Sequence, residues 1–229
     1  MADNTRQWNW ITFIKNGLEE TTAGKNIFVA GDLLWYPVEG KNKIRVAPDV
    51  MVAIGRPKGD RNSYLQWRED HLAPQIVFEV LSPGNTKKEM AKKLLWYEKY
   101  EVIEYYVYDP DFNKLEIYNR EGDKLVRIKT NNWTSPLLKF RLFWTSATLE
   151  LFHPNGSPFL SYGEAIADVK SARIEIQEGK VKIQEAKVKI QEEKAKVEEE
   201  KTKVKEEKAK TALLAAKLKE LGIDPESLL

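Results

Sequence analysis

The sequence predicts a mixed α+β fold, in which helices flank a curved central β-sheet and a long helix follows at the C-terminus. Segments with the apolar patterns of β-strands fill most of the first 160 residues, and two segments with helical spacing interrupt them. After residue 163 the chain has no aromatic residue and soon repeats every seven residues. The material for a hydrophobic core therefore lies in the first two thirds.

These observations predict two domains. A chain of 229 residues with 42% apolar residues can form one core of ordinary size and an appendage. Pro154 and Pro158, with polar residues between them, separate the two parts. We expect an α+β domain in residues 1–160 and a charged heptad-repeat helix in residues 161–229.

The first elements are predicted to be a helix and a β-hairpin. Residues 8–18 carry apolar side chains at spacings of three and four, which is typical of an amphipathic helix. Residues 26–38 and 44–55 are rich in β-forming residues and flank a polar turn at residues 39–43, so we expect them to pair. The apolar residues of the helix are Trp10, Ile11, Phe13, Ile14 and Leu18.

The centre of the domain is predicted to be a strand followed by a helix. Residues 75–82 (QIVFEVLS) are apolar on both alternations except at Glu79, which is typical of a strand buried on both faces. A turn at residues 82–86 ends this strand. Residues 87–100 then predict a helix whose apolar stripe is Met90, Leu94 and Tyr97.

Four further segments predict strands that complete the domain. Residues 104–110 are rich in tyrosine and valine, and residues 115–120 and 124–129 lie around turn signals. Residues 148–152 (TLELF) are the last predicted strand.

Composition excludes several kinds of site. Without cysteine, the chain can form neither disulfides nor thiolate metal sites, and it has no cysteine nucleophile. His71 and His153 are its only histidines, so His-rich zinc sites and a Ser-His-Asp triad have few residues to draw on. Any metal would therefore be held mainly by carboxylates.

The charge and hydropathy of the chain lead to an expectation about its cellular compartment, but they do not indicate what it binds. The formal net charge of +2 is nearly balanced and gives no argument for nucleic-acid binding. The sequence has neither an apolar run of membrane-spanning length nor the pattern of a signal peptide. We expect a cytoplasmic protein without membrane association.

The C-terminal segment repeats in heptads from Arg173, as in KVKIQEA and KVKIQEE, and predicts a continuous helix. Val181 and Ile183 point to nearly opposite sides of such a helix, unlike the a and d positions of a coiled coil. A solvated single helix and a self-association helix therefore stay as alternatives, and homo-oligomerisation is left open. A convincing apolar patch is formed only by Leu213, Leu214, Leu218 and Leu221.

Asp49, in the sequence Ala-Pro-Asp-Val, and Glu79 are the candidate catalytic carboxylates. They fall on two predicted neighbouring strands, where two carboxylates could share a divalent cation such as Mg²⁺. Such an ion can polarise a phosphodiester and activate water, while Lys93 could stabilise the added negative charge. Taken alone, each residue also has an ordinary structural interpretation: a turn aspartate, a satisfied buried glutamate and a surface lysine.

Three stretches carry a resemblance to a known family: VAGDLLWYP at 29–37, VAPDVMVAIGRPKG at 46–59, and the long run at 77–110 that begins VFEVLSPGN. Together they resemble the Uma-type putative restriction endonuclease family, which is common in cyanobacteria and belongs to the PD-(D/E)XK nuclease superfamily. The resemblance covers residues 1–160. It implies a restriction-endonuclease-like core and a Mg²⁺-dependent (or Mn²⁺-dependent) endonuclease with DNA as its partner.

The resemblance also implies roles for individual residues. Asp49 and Glu79 would be metal ligands, with the backbone carbonyl of Val80 as a further ligand. The superfamily lysine normally lies two residues after the acidic residue, where this chain has Leu81, and Lys93 from the following helix would replace it as the catalytic lysine.

Other positions take supporting roles in this comparison. Glu89 and Tyr97 would be structural or would contact the metal ligands without binding the metal themselves. The superfamily often adds an acidic residue from its first helix, for which Glu19 and Glu20 are the nearby candidates. Residues 1–5 resemble the middle of the family's usual beginning, and the resemblance leaves open whether the N-terminus is complete.

A second hypothesis stays open beside the endonuclease. The chain could keep the nuclease fold for nucleic-acid or partner binding while its helical tail mediates assembly, as the displaced lysine and the tail would allow. A carboxylate hydrolase acting on other substrates has no sequence feature in its favour.

Overall fold

The computed structural model describes residues 4–222, and its first two thirds alternate strands and helices. The order of elements is α1 (Thr5–Thr21), β1 (Ile27–Gly31), β2 (Trp35–Tyr36), β3 (Val50–Ile54), β4 (Tyr64–Leu65), β5 (Ile76–Val80), α2 (Lys87–Lys99), β6 (Glu104–Asp109), β7 (Lys114–Glu121), β8 (Lys124–Ile128), β9 (Asn132–Thr134), β10 (Arg141–Trp144), β11 (Leu149–Phe152) and α3 (Tyr162–Glu220).

The main sheet has six strands in the order β1-β3-β5-β6-β7-β8. Strands β5 and β6 are parallel, and every other neighbouring pair in this sheet is antiparallel. The parallel pair needs a crossover, which α2 provides. A three-stranded sheet (β11-β10-β9) and a short parallel pair (β2-β4) complete the strands of the described region.

Both faces of the main sheet are buried, because α1 and α2 contribute to different cores. Ile11 and Ile14 of α1 belong to one core, together with Phe78 of β5 and Leu142 of the small sheet. Tyr97 of α2 belongs to the other core, with Trp35, Val77 and Tyr105. All five residues of β5 are buried, as predicted for a strand covered on both faces.

Successive residues of a strand point to opposite faces of the sheet, and this alternation determines the face to which the Glu79 side chain points. Phe78 and Val80 face the core that contains α1, so Glu79 faces α2. The predicted mixed α+β fold, with a multi-stranded sheet and a long C-terminal helix, is confirmed.

Two local predictions need correction. The paired strands β1 and β3 are antiparallel as expected, but the connection between them runs over residues 32–49 and contains β2, so it is no tight hairpin. Strands β9 and β10 are not predicted by the sequence, because they have only three and four residues, too few for a clear alternation.

The chain divides into two units, Met1–Ala165 and Ile166–Leu229. Helix α3 begins with a capping box, in which the Ser161 backbone N–H and hydroxyl donate to the Glu164 carboxylate at 2.8 and 2.6 Å. None of its described residues is buried, and Leu213 and Leu214 are more than 60% exposed. Within residues 4–222, no helix is long and apolar enough to cross a membrane.

A few sequence-based expectations fall on residues outside the described range. Residues 1–3 of the N-terminal stretch and residues 223–229 of the predicted C-terminal domain lie outside it.

Candidate active site

Asp49 and Glu79 are brought together by the pairing of their strands. Asp49 directly precedes β3, and β3 pairs with β5, which carries Glu79. The backbone N–H of Val80 donates to Asp49 Oδ2 at 2.6 Å and fixes this carboxylate against β5. The two predicted acids therefore lie at the same edge of the sheet.

Helix α2 supplies two side chains to Glu79, which is only 2% exposed. Lys93 Nζ lies 2.7 Å from Glu79 Oε2, and the Tyr97 hydroxyl donates to Glu79 Oε1 at 2.5 Å. Because Lys93 and Tyr97 are four residues apart, they lie on the same helix face, one above the other. Glu79 thus has one contact on each carboxylate oxygen.

The N-terminus of α2 is fixed by a capping box. Thr86 caps the helix by accepting from the Glu89 backbone N–H at 3.2 Å, and Glu89 accepts from the Thr86 backbone N–H at 2.9 Å. Glu89 was expected to be structural, and its side chain contacts this cap. The cap holds the register that places Lys93 and Tyr97 over Glu79.

A cavity of about 210 Å³ contains the two acids and Lys93. The pKa of Asp49 is raised to about 7, first by burial and then by the negative charge of Glu79, while the Val80 N–H and the charge of Lys93 oppose the shift. The Asp49 carboxylate is therefore held where its negative charge is poorly compensated. The other lining residues are Gln7, Asp32, Ala47 and Asn85.

Comparison with protein families decides the assignment. The model of the family described as "Uma2: Putative restriction endonuclease" matches residues 3–150. The chain belongs to this family. The resemblance read from the sequence is thereby confirmed.

This Uma2 member was also compared with curated proteins and with solved structures. No curated protein matches the sequence significantly. A crystal structure of a protein from Anabaena variabilis, described as a putative nuclease belonging to DUF820, superposes with a TM-score of 0.45 and 15% sequence identity, and the match covers 60% of this chain and 74% of that chain. The family assignment rests on the match over residues 3–150.

The first helix of this Uma2 member contributes Gln7, rather than an acidic residue, to the cavity. Gln7 is 5% exposed, and its Nε2 donates to the Val80 carbonyl at 2.7 Å. Glu19 instead pairs with Lys15 at 2.8 Å, and Glu20 lies 3.5 Å from His153. The expected acidic residue from the first helix is therefore not found at this site.

The Val80 peptide links three parts of the site. Its N–H binds Asp49, and its carbonyl accepts from Gln7 of α1. A carbonyl oxygen has a second lone pair, so the predicted role of Val80 as a metal ligand is compatible with the Gln7 contact.

Sequence reasoning missed Gln7, Asp32 and Asn85, which also line the cavity. Helical spacing could have found Gln7. It lies four residues before Ile11 and seven before Ile14, so it extends the buried face of α1 by one turn toward the N-terminus. Asp32 directly follows β1, and its backbone N–H donates to the Asp49 carbonyl at 3.2 Å. Asn85 accepts from the Ser82 backbone N–H at 2.8 Å in the turn before α2.

Proposed function

We propose that this Uma2 member is a Mg²⁺-dependent or Mn²⁺-dependent endonuclease that hydrolyses phosphodiester bonds of DNA. One observation carries the proposal: two carboxylates, those of the half-buried Asp49 and the buried Glu79, share a cavity with the ammonium group of Lys93. A site that holds two negative charges in a partly desolvated place favours a cation between them.

The donor set suits a hard divalent cation. Within residues 4–222, no group of three Asp, Glu, His or Cys side chains could hold a metal, so the protein would supply two carboxylates. Mg²⁺ commonly binds through one or two carboxylates and keeps several water ligands. Asp49 and Glu79, with the Val80 carbonyl as a further oxygen donor, fit this requirement better than that of a structural zinc site.

The surrounding side chains have roles that follow from their contacts. A bound divalent cation would polarise the scissile phosphate and lower the pKa of a water nucleophile. Tyr97 orients Glu79 by donating to Oε1, and burial keeps the Tyr97 pKa well above its usual value, so this donor stays protonated. Lys93 places its positive charge beside Glu79, where it would stabilise the negative charge that develops on phosphate.

A phosphodiester substrate is supported by the helix that carries Lys93. Lys87, Lys88 and Lys92 are exposed on α2, close in sequence to the catalytic candidate. Lysine side chains bind the nucleic-acid backbone without reading its sequence. The description of the family as restriction endonucleases favours DNA over RNA.

A plasmid-nicking assay tests the proposal. We expect nicking that requires Mg²⁺ or Mn²⁺, stops with chelator, and is lost in Asp49→Ala and Glu79→Ala. Lys93→Met should retain metal binding, measured by Mn²⁺ titration, while cleavage falls by about a hundredfold or more. Cleavage that persists without divalent metal contradicts the proposal, and DNA binding without any cleavage supports the binding-protein hypothesis instead.

A further inference from the structure

A groove of about 570 Å³ lies between α2 and the strands β6 and β7. This volume falls in the range of about 300–1,000 Å³ that is typical of small-molecule sites. Its lining combines apolar and aromatic side chains with a few polar ones, which is also typical of such sites. The apolar and aromatic part consists of Met90, Leu94, Tyr105, Val107 and Tyr118.

The groove adjoins the carboxylate cavity. Asn85 lines both spaces, because it lies in the turn that leads from β5 to α2. Val107, in the groove, is the register partner of Glu79 in the parallel pair of β5 and β6. A ligand that has one group at the carboxylates could therefore place its neighbouring group in the groove.

Tyr105 gives the groove an unsatisfied polar group. It is 1% exposed, and within residues 4–222 its hydroxyl has no hydrogen-bond partner. Burial raises the Tyr105 pKa well above its usual value, so the hydroxyl stays a donor. Buried donors are normally paired, and this one would be satisfied by an acceptor that enters the groove, directly or through a water molecule.

The charged residues of the groove suit a polyanion at its mouth. Lys87 and Lys114 are exposed on its two sides. Of the two acidic residues, Glu116 is paired with Arg127 at 3.0 Å, and Asp109 accepts from backbone N–H groups of the following turn. The acidic charges are thus engaged locally, whereas the lysine side chains extend to solvent.

We propose that this groove binds one unstacked nucleobase of the DNA strand that is cut, next to the scissile phosphate. The proposal rests on the endonuclease function proposed above. A base has apolar faces that match the aromatic and aliphatic walls, and an edge with acceptors that can meet the Tyr105 hydroxyl. Its flanking phosphates would meet Lys87 and Lys114.

The test needs variants that alter the groove and leave the core intact. Ala91 lines the groove and is exposed on α2, so Ala91→Phe fills the groove from its open side. Leu95→Phe is the matched control, because Leu95 is 63% exposed one turn later and does not line the groove. Tyr105→Phe removes only the unpaired hydroxyl.

Two readouts separate this proposal from the nuclease proposal. The first is the base distribution at cut sites in a randomised duplex library with Mg²⁺. The second is the binding of a single-stranded oligonucleotide that contains one 2-aminopurine. Binding is measured by the 2-aminopurine fluorescence, with Ca²⁺ in place of Mg²⁺. We expect a base preference at one position beside the cut, reduced at least about fivefold in Ala91→Phe and altered in Tyr105→Phe, with Leu95→Phe unchanged.

Each outcome decides between the two proposals. If cleavage occurs with the same base distribution in all variants, the groove proposal is overturned and the nuclease stands. If no cleavage occurs but the 2-aminopurine signal depends on Ala91, binding of a nucleobase in the groove stands, while its place beside a scissile phosphate is overturned together with the nuclease. If neither cleavage nor Ala91-dependent binding is seen, both are overturned.

Discussion

Glu79 and Glu104 are both buried glutamates on adjacent strands of the same sheet, but they lie on opposite faces and contact different kinds of groups. Glu104 is fully buried and accepts hydrogen bonds from the Ser135 hydroxyl at 2.7 Å and the Leu137 backbone N–H at 2.8 Å. The Tyr106 hydroxyl donates to it at 2.7 Å. These three groups around the Glu104 carboxylate are therefore all hydrogen-bond donors.

Glu79 has donors on both oxygens as well, but it also faces a second carboxylate. The charge of Glu79 raises the pKa of Asp49, which shows that the two acids repel each other across the cavity. The pKa of Glu104 is also raised by burial, but its hydrogen bonds oppose the shift. Burial alone therefore does not distinguish a candidate catalytic carboxylate from a structural one. The distinguishing feature is a second acidic residue nearby whose charge is not compensated.

The largest expected effect separates the two glutamates by activity. Glu79→Gln keeps the size of the side chain but removes the charge needed to bind a divalent cation, so we expect cleavage to fall by roughly a thousandfold or more. Glu104→Gln should leave the specific activity of the folded protein largely unchanged. The measurement is the rate of plasmid nicking, with circular dichroism as the control for folding. Equal losses in both variants would remove the distinction.

Stability should show the reverse order. Glu104→Ala leaves three buried donors without an acceptor, so we expect the free energy of unfolding to fall by about 3 kcal/mol. Glu79→Ala also removes an acceptor from Lys93 and Tyr97, but it relieves the repulsion with Asp49, and we expect less than half that loss. Urea unfolding of both variants measures the difference. A larger loss for Glu79→Ala would indicate that Glu79 is mainly structural.

The comparison also explains what could be predicted from the sequence. Glu79 interrupts a run that is apolar on both alternations, and this interruption is visible without a structure. Glu104 begins its strand, where a polar residue is ordinary, so nothing in the sequence marks it as buried. Consecutive strand segments are usually neighbours in a sheet, which is why Asp49 and Glu79 could be placed on neighbouring strands, although the connection between β3 and β5 runs over residues 55–75.

Other parts of the site depend on contacts between distant segments. Gln7 reaches Val80 across 73 positions, and Asn85 joins the cavity through the conformation of a turn. Periodicity predicts that Gln7 is buried but not what it contacts. Glu19 and Glu20 were candidates only, with the absence of an acidic residue left open, and a search for acidic residues overlooks the amide of Gln7. Lys93 was a candidate as a nearby lysine on the following helix, and the family resemblance implied its catalytic role, since fourteen residues of spacing cannot by themselves place a side chain.

The uncompensated charge at Asp49 predicts a pH dependence of stability. Its pKa is about 7 in the folded protein and 3.8 as an ordinary value, so between these values the folded state holds a proton that the unfolded state has lost. Rising pH across this window therefore destabilises the protein. Because Asp49 is half-buried rather than fully buried, we expect a contribution of about 2 kcal/mol, less than the whole shift would give.

Asp49→Asn should remove this part of the slope. Urea unfolding at several values of pH between 4 and 8 measures it, and Asp60→Asn, at an exposed aspartate, is the control. Added Mg²⁺ should stabilise the wild-type protein most above pH 7, since a cation favours the ionised carboxylate. If the wild-type protein and Asp49→Asn have the same slope, burial and the charge of Glu79 do not raise the pKa of Asp49 in the folded protein.

The smallest expected effect concerns the Val80 carbonyl. Gln7→Met removes the buried hydrogen bond to this carbonyl, a loss worth about 1 kcal/mol of the free energy of unfolding. If Val80 is a metal ligand, the carbonyl freed from Gln7 can bind Mg²⁺ more strongly, so Mg²⁺ should raise the Tm of Gln7→Met by more than that of the wild type. The extra shift should disappear when Asp49→Ala is added. An equal Mg²⁺ shift in the wild type and Gln7→Met would show that Gln7 does not weaken any binding of Mg²⁺ by this carbonyl.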